Sequence, residues 1–300
     1  MAEVKVIDVT PKGWGTKLIA SFLVNTDNSA ILIETGPAGS YDQLKQALID
    51  NGVEPDIVIL THIHLDHAGA AGLLARDYPR VKILVHPRGR KHMANPSKLW
   101  NAAQMVLGEV ARIYGEPLPV PEDNLVAVDD GYEVKAGSSV LKIVHTPGHA
   151  SHHMSILLQP EGILFTGDSA GVVVEVNGRR IELPTTPPPF HPKLYVESID
   201  KMISLKPSKP APTHYGILDE DAVEYLEREK DRAIRWYSLV KDLVAKGLVE
   251  VEAVASMLAD TYEDARIAYG SPNPIIREVF YKGTVWGLVE AAKKELEKTE

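Results

Sequence analysis

Short apolar runs separated by turn-forming residues dominate the first third of the chain. Runs of this length, rich in β-branched and aliphatic side chains, predict strands. The predicted strands cover residues 4–9, 18–24, 30–34, 57–60 and 81–85. Residues 11–15 predict a turn and residues 25–29 a hairpin connection, so the chain is expected to begin with antiparallel strands.

Apolar positions with helical spacing alternate with these strands. Residues 41–50 carry apolar side chains at 41, 44, 47 and 48, and Asn51-Gly52 is typical of a left-handed helix end. Residues 70–78 predict a short helix, and residues 97–114 predict a longer one with a broad apolar stripe. Such a stripe is typical of core packing, and close to an active site it also suits a substrate wall.

The second half repeats this alternation and then changes character. Strands are predicted at 140–144, 155–159, 162–165 and 172–176, followed by a proline-rich loop at 184–192 and a helix at 193–205. From residue 219 onward the pattern is helical, over 219–246, 251–262 and 274–298. We therefore predict an α/β domain over residues 1–216 and a helical C-terminal subdomain over 217–300.

Composition narrows the possible classes of protein. The chain has 300 residues, 44% of them hydrophobic, and no cysteine, so any metal must be held by imidazole and carboxylate groups. It shows neither a signal-peptide core nor an apolar run long enough to span a membrane, and we expect a soluble cytoplasmic protein. A net charge of −9 argues against a surface that follows nucleic-acid phosphates.

A dense polar cluster begins where the strand at 57–60 ends. His62, His64, Asp66 and His67 lie within six consecutive positions there, and carboxyl ends of strands are where ligands gather in layered α/β proteins. If the extended backbone continues through His64, alternation places His62 and His64 on one side, where both rings can bind one ion. Asp66 and His67 follow a bend into the next helix and could serve a second ion. The sequence therefore predicts a metal site.

This stretch, T-H-x-H-x-D-H-x-G after a strand, resembles the signature of the metallo-β-lactamase superfamily. His149 in His-Thr-Pro-Gly-His, Asp168 after an apolar strand, and His214 match the remaining ligands of that family in order. The resemblance implies a four-layer αβ/βα sandwich, and the helical tail resembles the glyoxalase II-like branch. In that branch the tail borders the substrate cleft; it could equally form a homodimer interface.

The family also implies an arrangement of ligands that suggests a mechanism. One ion would be held by His62, His64 and His149, and the other by Asp66, His67 and His214, with Asp168 between them. From this arrangement we infer that a hydroxide shared by two divalent ions attacks the substrate and that Asp66 orients it. Tyr215, adjacent to His214, is our candidate for donating a hydrogen bond to the developing charge. Zinc is the expected metal, and iron or manganese also suits these donors.

Some residues depart from the family pattern or extend it. Glu34 stands where the family carries an aspartate behind the ligands, which leaves the geometry of that loop open. We expect the remaining histidines near the motifs to support the ligands or to be structural; these are His86, His145, His152 and His153. By the family's layout, the substrate-wall candidates are Phe190, His191 and Tyr195.

The expected function is hydrolysis of a small molecule: an ester, thioester, lactone or phosphotriester. A glutathione thioester would need basic residues in the C-terminal helices, for which Arg277 and Lys282 are the candidates. The alternatives are a metal-dependent nuclease, a diiron oxygen-reducing enzyme that works with a separate flavin partner, and a scaffold without activity. No basic RNA-binding module or flavin domain is visible in the sequence, and the complete ligand set argues against a scaffold.

Overall fold

The computed structural model describes residues 2–26 and 29–298. Its first sheet has six strands: β1 (Glu3–Asp8), β2 (Ala20–Thr26), β3 (Ser29–Ile33), β4 (Ile57–Ile59), β5 (Lys82–Val85) and β6 (Leu125–Ala127). They lie side by side in chain order, antiparallel from β1 to β3 and parallel from β3 to β6. The predicted antiparallel start is confirmed. The predicted connection at 25–29 includes residues 27 and 28, which lie outside the described residues.

The second sheet is built from the later strands. These are β7 (Glu133–Ala136), β8 (Ser139–His145), β9 (Met154–Gln159), β10 (Ile163–Gly167), β11 (Val172–Val176), β12 (Arg179–Leu183) and β13 (Lys209–Pro212). Five of them form a sheet in the order β13-β10-β9-β8-β7, and β11 pairs with β12 as a separate hairpin. Only the β10–β13 pair of this sheet is parallel among the described strands. The end of β10 therefore lies beside the end of β13, which brings Asp168 and His214 to one edge.

The helices are α1 (Tyr41–Asp50), α2 (Leu65–Ala68), α3 (Ala71–Asp77), α4 (Pro87–Ala94), α5 (Ser97–Leu107), α6 (Glu109–Tyr114), α7 (Pro192–Ser204), α8 (Ala222–Ala245), α9 (Val251–Thr261), α10 (Glu263–Tyr269), a π-helix (Ile275–Lys282) and α11 (Gly283–Leu296). The predicted helix at 97–114 is broken at Gly108, whose φ of 55° and ψ of −115° are not helical. Glycine has no Cβ and adopts such a conformation readily. Across the described residues, the helices are too short or too polar to cross a lipid bilayer.

Alternation along the strands creates the four layers. In β2, Phe22 and Val24 point into a core between the two sheets, whereas Leu23 belongs to the core that the helices cover. The inter-sheet core receives Ile143 and Phe165 from the second sheet, and Phe22 meets Phe165 at a ring separation of 4.9 Å. Because central strands such as β2 bury both faces, the helices must lie outside the pair of sheets. The predicted α/β sandwich is confirmed.

The C-terminal helices share a core with the rest of the molecule. Tyr225 and Trp236 of α8 and Leu288 of α11 lie in the same buried cluster as Leu23. In α11, a Cβ on Gly287 would lie 1.6 Å from the carbonyl oxygen of Thr186, so this close approach requires glycine. The helical tail is therefore packed directly against the loop at 184–188. The division at residue 216 stays a prediction.

Candidate metal centre

The cluster begins at the carboxyl end of β4, as the sequence predicts. His62 is fully buried just beyond the strand, and His64 precedes α2 in extended conformation, with a φ of −63° and a ψ of 155°. Helix α2 then carries Asp66 and His67 in its single turn. The backbone thus bends between His64 and Asp66, which sends the two pairs of side chains in different directions.

The first group of donors is His62, His64 and His149. The Nε2 atom of His62 lies 2.9 Å from Nδ1 of His64, and Nε2 of His149 lies 3.1 Å from that same Nδ1. Burial lowers the pKa of all three imidazoles below 6.5, and the neighbouring imidazoles lower those of His62 and His64 further. All three rings are therefore neutral at pH 7, which is the form that binds a cation.

The second group is Asp66, His67 and His214. Nε2 of His67 lies 3.9 Å from Oδ1 of Asp66, and Nε2 of His214 lies 3.7 Å from its Oδ2. Asp168 lies between the groups, because its Oδ1 is 3.4 Å from His67 and 3.5 Å from His214 while its Oδ2 is 3.5 Å from His149. In each group the donor atoms lie within 4.8 Å of one another. The structure thus brings together all seven predicted ligands.

Three buried polar atoms at the centre of this cluster have no hydrogen-bond partner: Nε2 of His67, Nε2 of His214 and Oδ1 of Asp168. Buried polar atoms are normally paired, since an unpaired one costs about 1–3 kcal/mol. These atoms point at one another across 3.4–3.5 Å, which leaves room for a shared cation. The donor set, rich in nitrogen with two carboxylates, suits divalent metal ions.

The other nitrogen of three of these rings is held by the surrounding protein. Nδ1 of His149 donates to the carbonyl of Thr185 at 3.0 Å, and Nδ1 of His214 donates to the carbonyl of Leu18. Nδ1 of His67 lies 3.0 Å from Oε1 of Glu34, which also accepts a hydrogen bond from Thr61. These contacts fix the tautomer that exposes Nε2 to the cluster. Glu34 therefore fills the supporting place that the family gives to aspartate.

Asp168 is positioned by a buried histidine. Nε2 of His153 accepts a hydrogen bond from the backbone N–H of Asp168 at 3.0 Å, and its Nδ1 lies 2.9 Å from the hydroxyls of Thr146 and Ser169. His153 is thus a supporting residue, as expected. On the far side of this turn, Tyr225 of α8 donates to the carbonyl of Ala170 at 2.6 Å.

Metal binding should depend on pH through His67. Burial opposes its charged form, but the carboxylates of Asp168, Glu34 and Asp66 raise its pKa well above 6.5 when no cation is bound. A metal must therefore displace a proton from His67, and affinity at the Asp66 group should fall about tenfold per pH unit below that pKa. The His62 group, whose pKa values are lowered, should retain its ion to lower pH.

The measurement is metal content after equilibrium dialysis between pH 8 and pH 5, with bound ions counted by mass spectrometry. We expect two equivalents to fall to one before the second is lost. Simultaneous loss of both would contradict the different protonation of the two groups.

An apolar cavity of about 240 Å³ opens onto the donors. Its floor consists of His64, Asp66, His149 and Asp168. Apolar side chains from α5, the proline-rich loop, the π-helix and α11 form the walls, namely Leu99, Ala102, Ala103, Val106, Leu107, Pro187, Pro188, Val279, Phe280 and Trp286. Helix α5 has no fully buried residue, and its Leu99, Ala103 and Leu107 line this cavity while also packing against the edge of the core.

Tyr114, at the end of α6, is a wall residue that sequence reasoning missed. It is fully buried, and its hydroxyl has no hydrogen-bond partner. Burial and the nearby carboxylates of Asp66 and Asp168 raise the pKa of Tyr114 well above 10, so the phenol remains protonated and is a donor. The one signal in the sequence was its place at the end of the predicted helix at 97–114, where an aromatic residue resembles ordinary core.

Four predicted residues are not among the residues that line this cavity. Tyr215 is half-buried and packs against the inter-sheet core, because the backbone that directs His214 to the cluster directs its neighbour away. Phe190 and Tyr195 pack against each other at 5.5 Å and line a separate cavity between α7 and α8. His191 lies in the same turn, and its N–H donates to the carbonyl of Gly148.

Three further histidines lie outside the donor groups. Nε2 of His145 lies 3.1 Å from the carbonyl of Val128, and its ring lies 4.2 Å from that of His86, tilted by 37°. Nδ1 of His86 accepts from the N–H of Arg88 at the start of α4. The ring of His152 lies 5.8 Å from that of His64.

Comparison with known proteins identifies the relatives of this chain. The sequence model described as "Metallo-beta-lactamase superfamily" matches residues 14–214. The chain is 36% identical over 173 residues to the metallo-beta-lactamase fold-containing protein ST1585 of Sulfurisphaera tokodaii, covering 56% of this chain and 64% of that protein. It is 23% identical over 277 residues to the atrochrysone carboxyl ACP thioesterase of Aspergillus fumigatus, covering 87% and 56%. The matches thus span less than two thirds of either relative.

Solved structures agree in fold. The crystal structure of ST1585 from Sulfolobus tokodaii superposes with a TM-score of 0.65 at 28% identity, covering 77% of this chain and 86% of that one. The metallo-beta-lactamase family protein TTHA1429 from Thermus thermophilus gives a TM-score of 0.69 over 99% and 93% of the two chains. Its identity of 17% supports the fold alone.

Proposed function

The chain belongs to the metallo-beta-lactamase superfamily, and from this premise we propose that it is a dinuclear metal-dependent hydrolase of thioesters that carry an apolar acyl group. Hydrolase activity is shared with relatives of this family. The apolar cavity over the donor cluster is the observation that carries the choice of substrate.

The walls of the cavity favour an uncharged acyl group. None of the described residues that line it is lysine or arginine, so its walls offer no basic side chain to a carboxylate or phosphate. Its volume of about 240 Å³ suits an aromatic ring or a medium alkyl chain. A relative named as an ACP thioesterase supports a thioester as the bond that is cleaved.

The contacts of Arg277 and Lys282 in the C-terminal helices do not favour a glutathione thioester as the substrate. Arg277 lies 2.7 Å from Glu278, and Lys282 lies 2.9 Å from Glu252 and 3.4 Å from Glu278. Neither lines the apolar cavity. Both cations are already matched by carboxylates, so binding glutathione carboxylates would require breaking these pairs.

The metal ligands, Tyr114 and the cavity walls have separate roles in the proposed reaction. When bound to the two groups and Asp168, divalent zinc, iron or manganese ions would lower the pKa of water and polarise the carbonyl. The water oxygen adds to the carbonyl carbon, the C–S bond breaks, and the products are a carboxylic acid and a thiol. Tyr114 donates its hydroxyl proton in a hydrogen bond to the carbonyl oxygen as negative charge develops there. The walls formed by α5 and Phe280 exclude bulk water.

The test is an initial-rate comparison on metal-reconstituted protein. The substrates are an N-acetylcysteamine thioester of octanoate or benzoate, lactoylglutathione and an activated phosphotriester. We expect the apolar thioester to have the highest kcat/KM, by at least about tenfold. His64→Ala should abolish the rate, with unfolding temperature measured to confirm that it folds. A preference for lactoylglutathione or the triester, or an unchanged rate in His64→Ala, would refute the proposal.

A further inference from the structure

A second surface lies beside the metal centre and shares no lining residue with the apolar cavity. It is an open bay, here called the basic bay, lined by Pro87, Arg88, Arg90, Lys91 and His92 of α4 and by Ser151 and His152. It stands out because the whole chain carries a net charge of −9.

The cations of the basic bay are only partly matched. Arg90 pairs with Glu122 at 3.2 Å. Within residues 2–26 and 29–298, Arg88 and Lys91 form no ion pair, and the guanidinium of Arg88 contacts only the carbonyl of Ser151, at 3.5 Å. Both side chains are exposed. Two unmatched cations therefore face the bay, where an anionic group could bind both.

His152 joins the basic bay to the reaction centre. Its ring lies 5.8 Å from that of His64 and 6.2 Å from that of His62, and its Nδ1 is buried without a hydrogen-bond partner. His64 itself lines the apolar cavity. A substrate bound across the donors would thus have one end between apolar walls and the other end beside the cations.

We propose that the basic bay binds the phosphate of a phosphopantetheine leaving group, so that Arg88 and Lys91 select the thiol half of the substrate. This rests on the proposed function, because it assumes a thioester whose acyl group occupies the apolar cavity. The guanidinium of Arg88 can form two parallel hydrogen bonds to a phosphate, and Lys91 adds a second charge. Since the described lining of the apolar cavity contains no lysine or arginine, the bay would also set the direction in which the substrate binds.

The experiment compares two substrates that differ only in the phosphate. These are the same apolar acyl group on pantetheine and on 4′-phosphopantetheine. Wild-type protein should favour the phosphorylated substrate about tenfold in kcat/KM, through KM, and salt should weaken that preference. In Arg88→Gln/Lys91→Gln the preference should disappear while the rate on acyl-pantetheine is unchanged. Lys246→Gln, which removes one exposed cation at the end of α8, should keep the preference.

Three results would overturn the inference: no preference in the wild type, a preference that survives in the double variant, or an equal loss on both substrates. The same acyl group on coenzyme A and on an acyl carrier protein provides two further substrates for the comparison. If only one of these were favoured over acyl-pantetheine, while free acyl-phosphopantetheine were not, recognition would lie in the adenosine phosphates or in the carrier protein, and the assignment would be wrong.

A binding measurement separates this inference from the proposed function. S-methyl-4′-phosphopantetheine and S-methylpantetheine contain no thioester, so the difference between their affinities, measured by calorimetry, reports the contact of the phosphate with the basic bay. The phosphorylated compound should bind about tenfold more tightly to the wild type and equally weakly to the double variant. Tighter binding without thioester hydrolysis would refute the function and keep the phosphate site. Equal binding of both compounds to the wild type would refute the site.

Discussion

Asp168→Asn is expected to reduce hydrolysis by about 10³-fold or more and to leave at most one tightly bound metal ion. Asp168 is the side chain within 3.4–3.5 Å of His67, His214 and His149. Burial opposes its ionisation, but the surrounding imidazoles hold the pKa of Asp168 well below 3.8, so it supplies a full negative charge between the two groups. An amide would leave two divalent ions to repel each other. Losing the transition-state stabilisation that two ions supply together costs several kcal/mol. A loss of about 4 kcal/mol corresponds to a 10³-fold lower rate.

Metal content and kcat/KM on the apolar thioester measure this effect together. Glu175→Gln makes the same carboxylate-to-amide change on an exposed residue of β11 and should retain two ions and full rate. A variant with asparagine at 168 that kept both ions and the wild-type rate would show that this residue is not shared between the groups.

The metal centre is the part of the molecule that the sequence specifies most completely. Its ligands follow strands, and the turn residues around them are local in sequence, so spacing alone separates His62 and His64 from Asp66 and His67. The layered fold is equally accessible, because alternation in a strand such as β2 shows that both of its faces are buried. Local pattern and global fold agree in these regions.

The residues that line the apolar cavity could not be predicted from local sequence patterns, because tertiary contacts determine which side chains reach it. The loop at 184–188 turns Pro187 and Pro188 to the cavity and Phe190 away from it, because α11 packs on Thr186 through Gly287. That packing involves residues about one hundred positions apart. The π-helix at Ile275–Lys282 likewise directs Val279 and Phe280 into the cavity, although the sequence predicts an ordinary helix there. Position in the chain therefore suggested Phe190 as a substrate-wall residue, whereas tertiary packing brings Pro187, Pro188 and Phe280 to the cavity.

Tertiary packing also explains why Tyr114, and not the predicted donor Tyr215, lines the cavity. Tyr215 is adjacent to a ligand in sequence, but the turn at 213–215 directs its ring to the inter-sheet core while His214 reaches the donor cluster. Tyr114 is 100 residues from His214 in the chain. Helices α5 and α6, which meet at Gly108, carry it over the donors. A buried phenol whose hydroxyl lacks a partner is the feature that distinguishes it from a core residue, and only the folded structure shows this.

Tyr114→Phe is expected to lower kcat on the apolar thioester by about 10²-fold with little change in KM or metal content. Removal of one preorganised donor to a developing oxyanion costs about 10²–10³ in kcat. The hydroxyl is absent from every hydrogen bond of the described protein, so phenylalanine preserves the packing and removes only the donor. The free energy of unfolding should stay the same or rise slightly, because no buried polar atom is left unpaired.

The rate and stability readouts together distinguish catalysis from structure. A purely structural tyrosine would lose stability and kcat together, whereas an oxyanion donor loses kcat alone. Tyr132→Phe, on an exposed residue between β6 and β7, supplies the matched control and should change neither. Tyr215→Phe should likewise leave kcat within about twofold, since its ring packs on the inter-sheet core and not on the cavity. The opposite result, a fall in kcat of about 10²-fold in Tyr215→Phe but not in Tyr114→Phe, would contradict this assignment. The hydrogen-bond donor would then be Tyr215, and the unpaired hydroxyl of Tyr114 would have no part in the reaction.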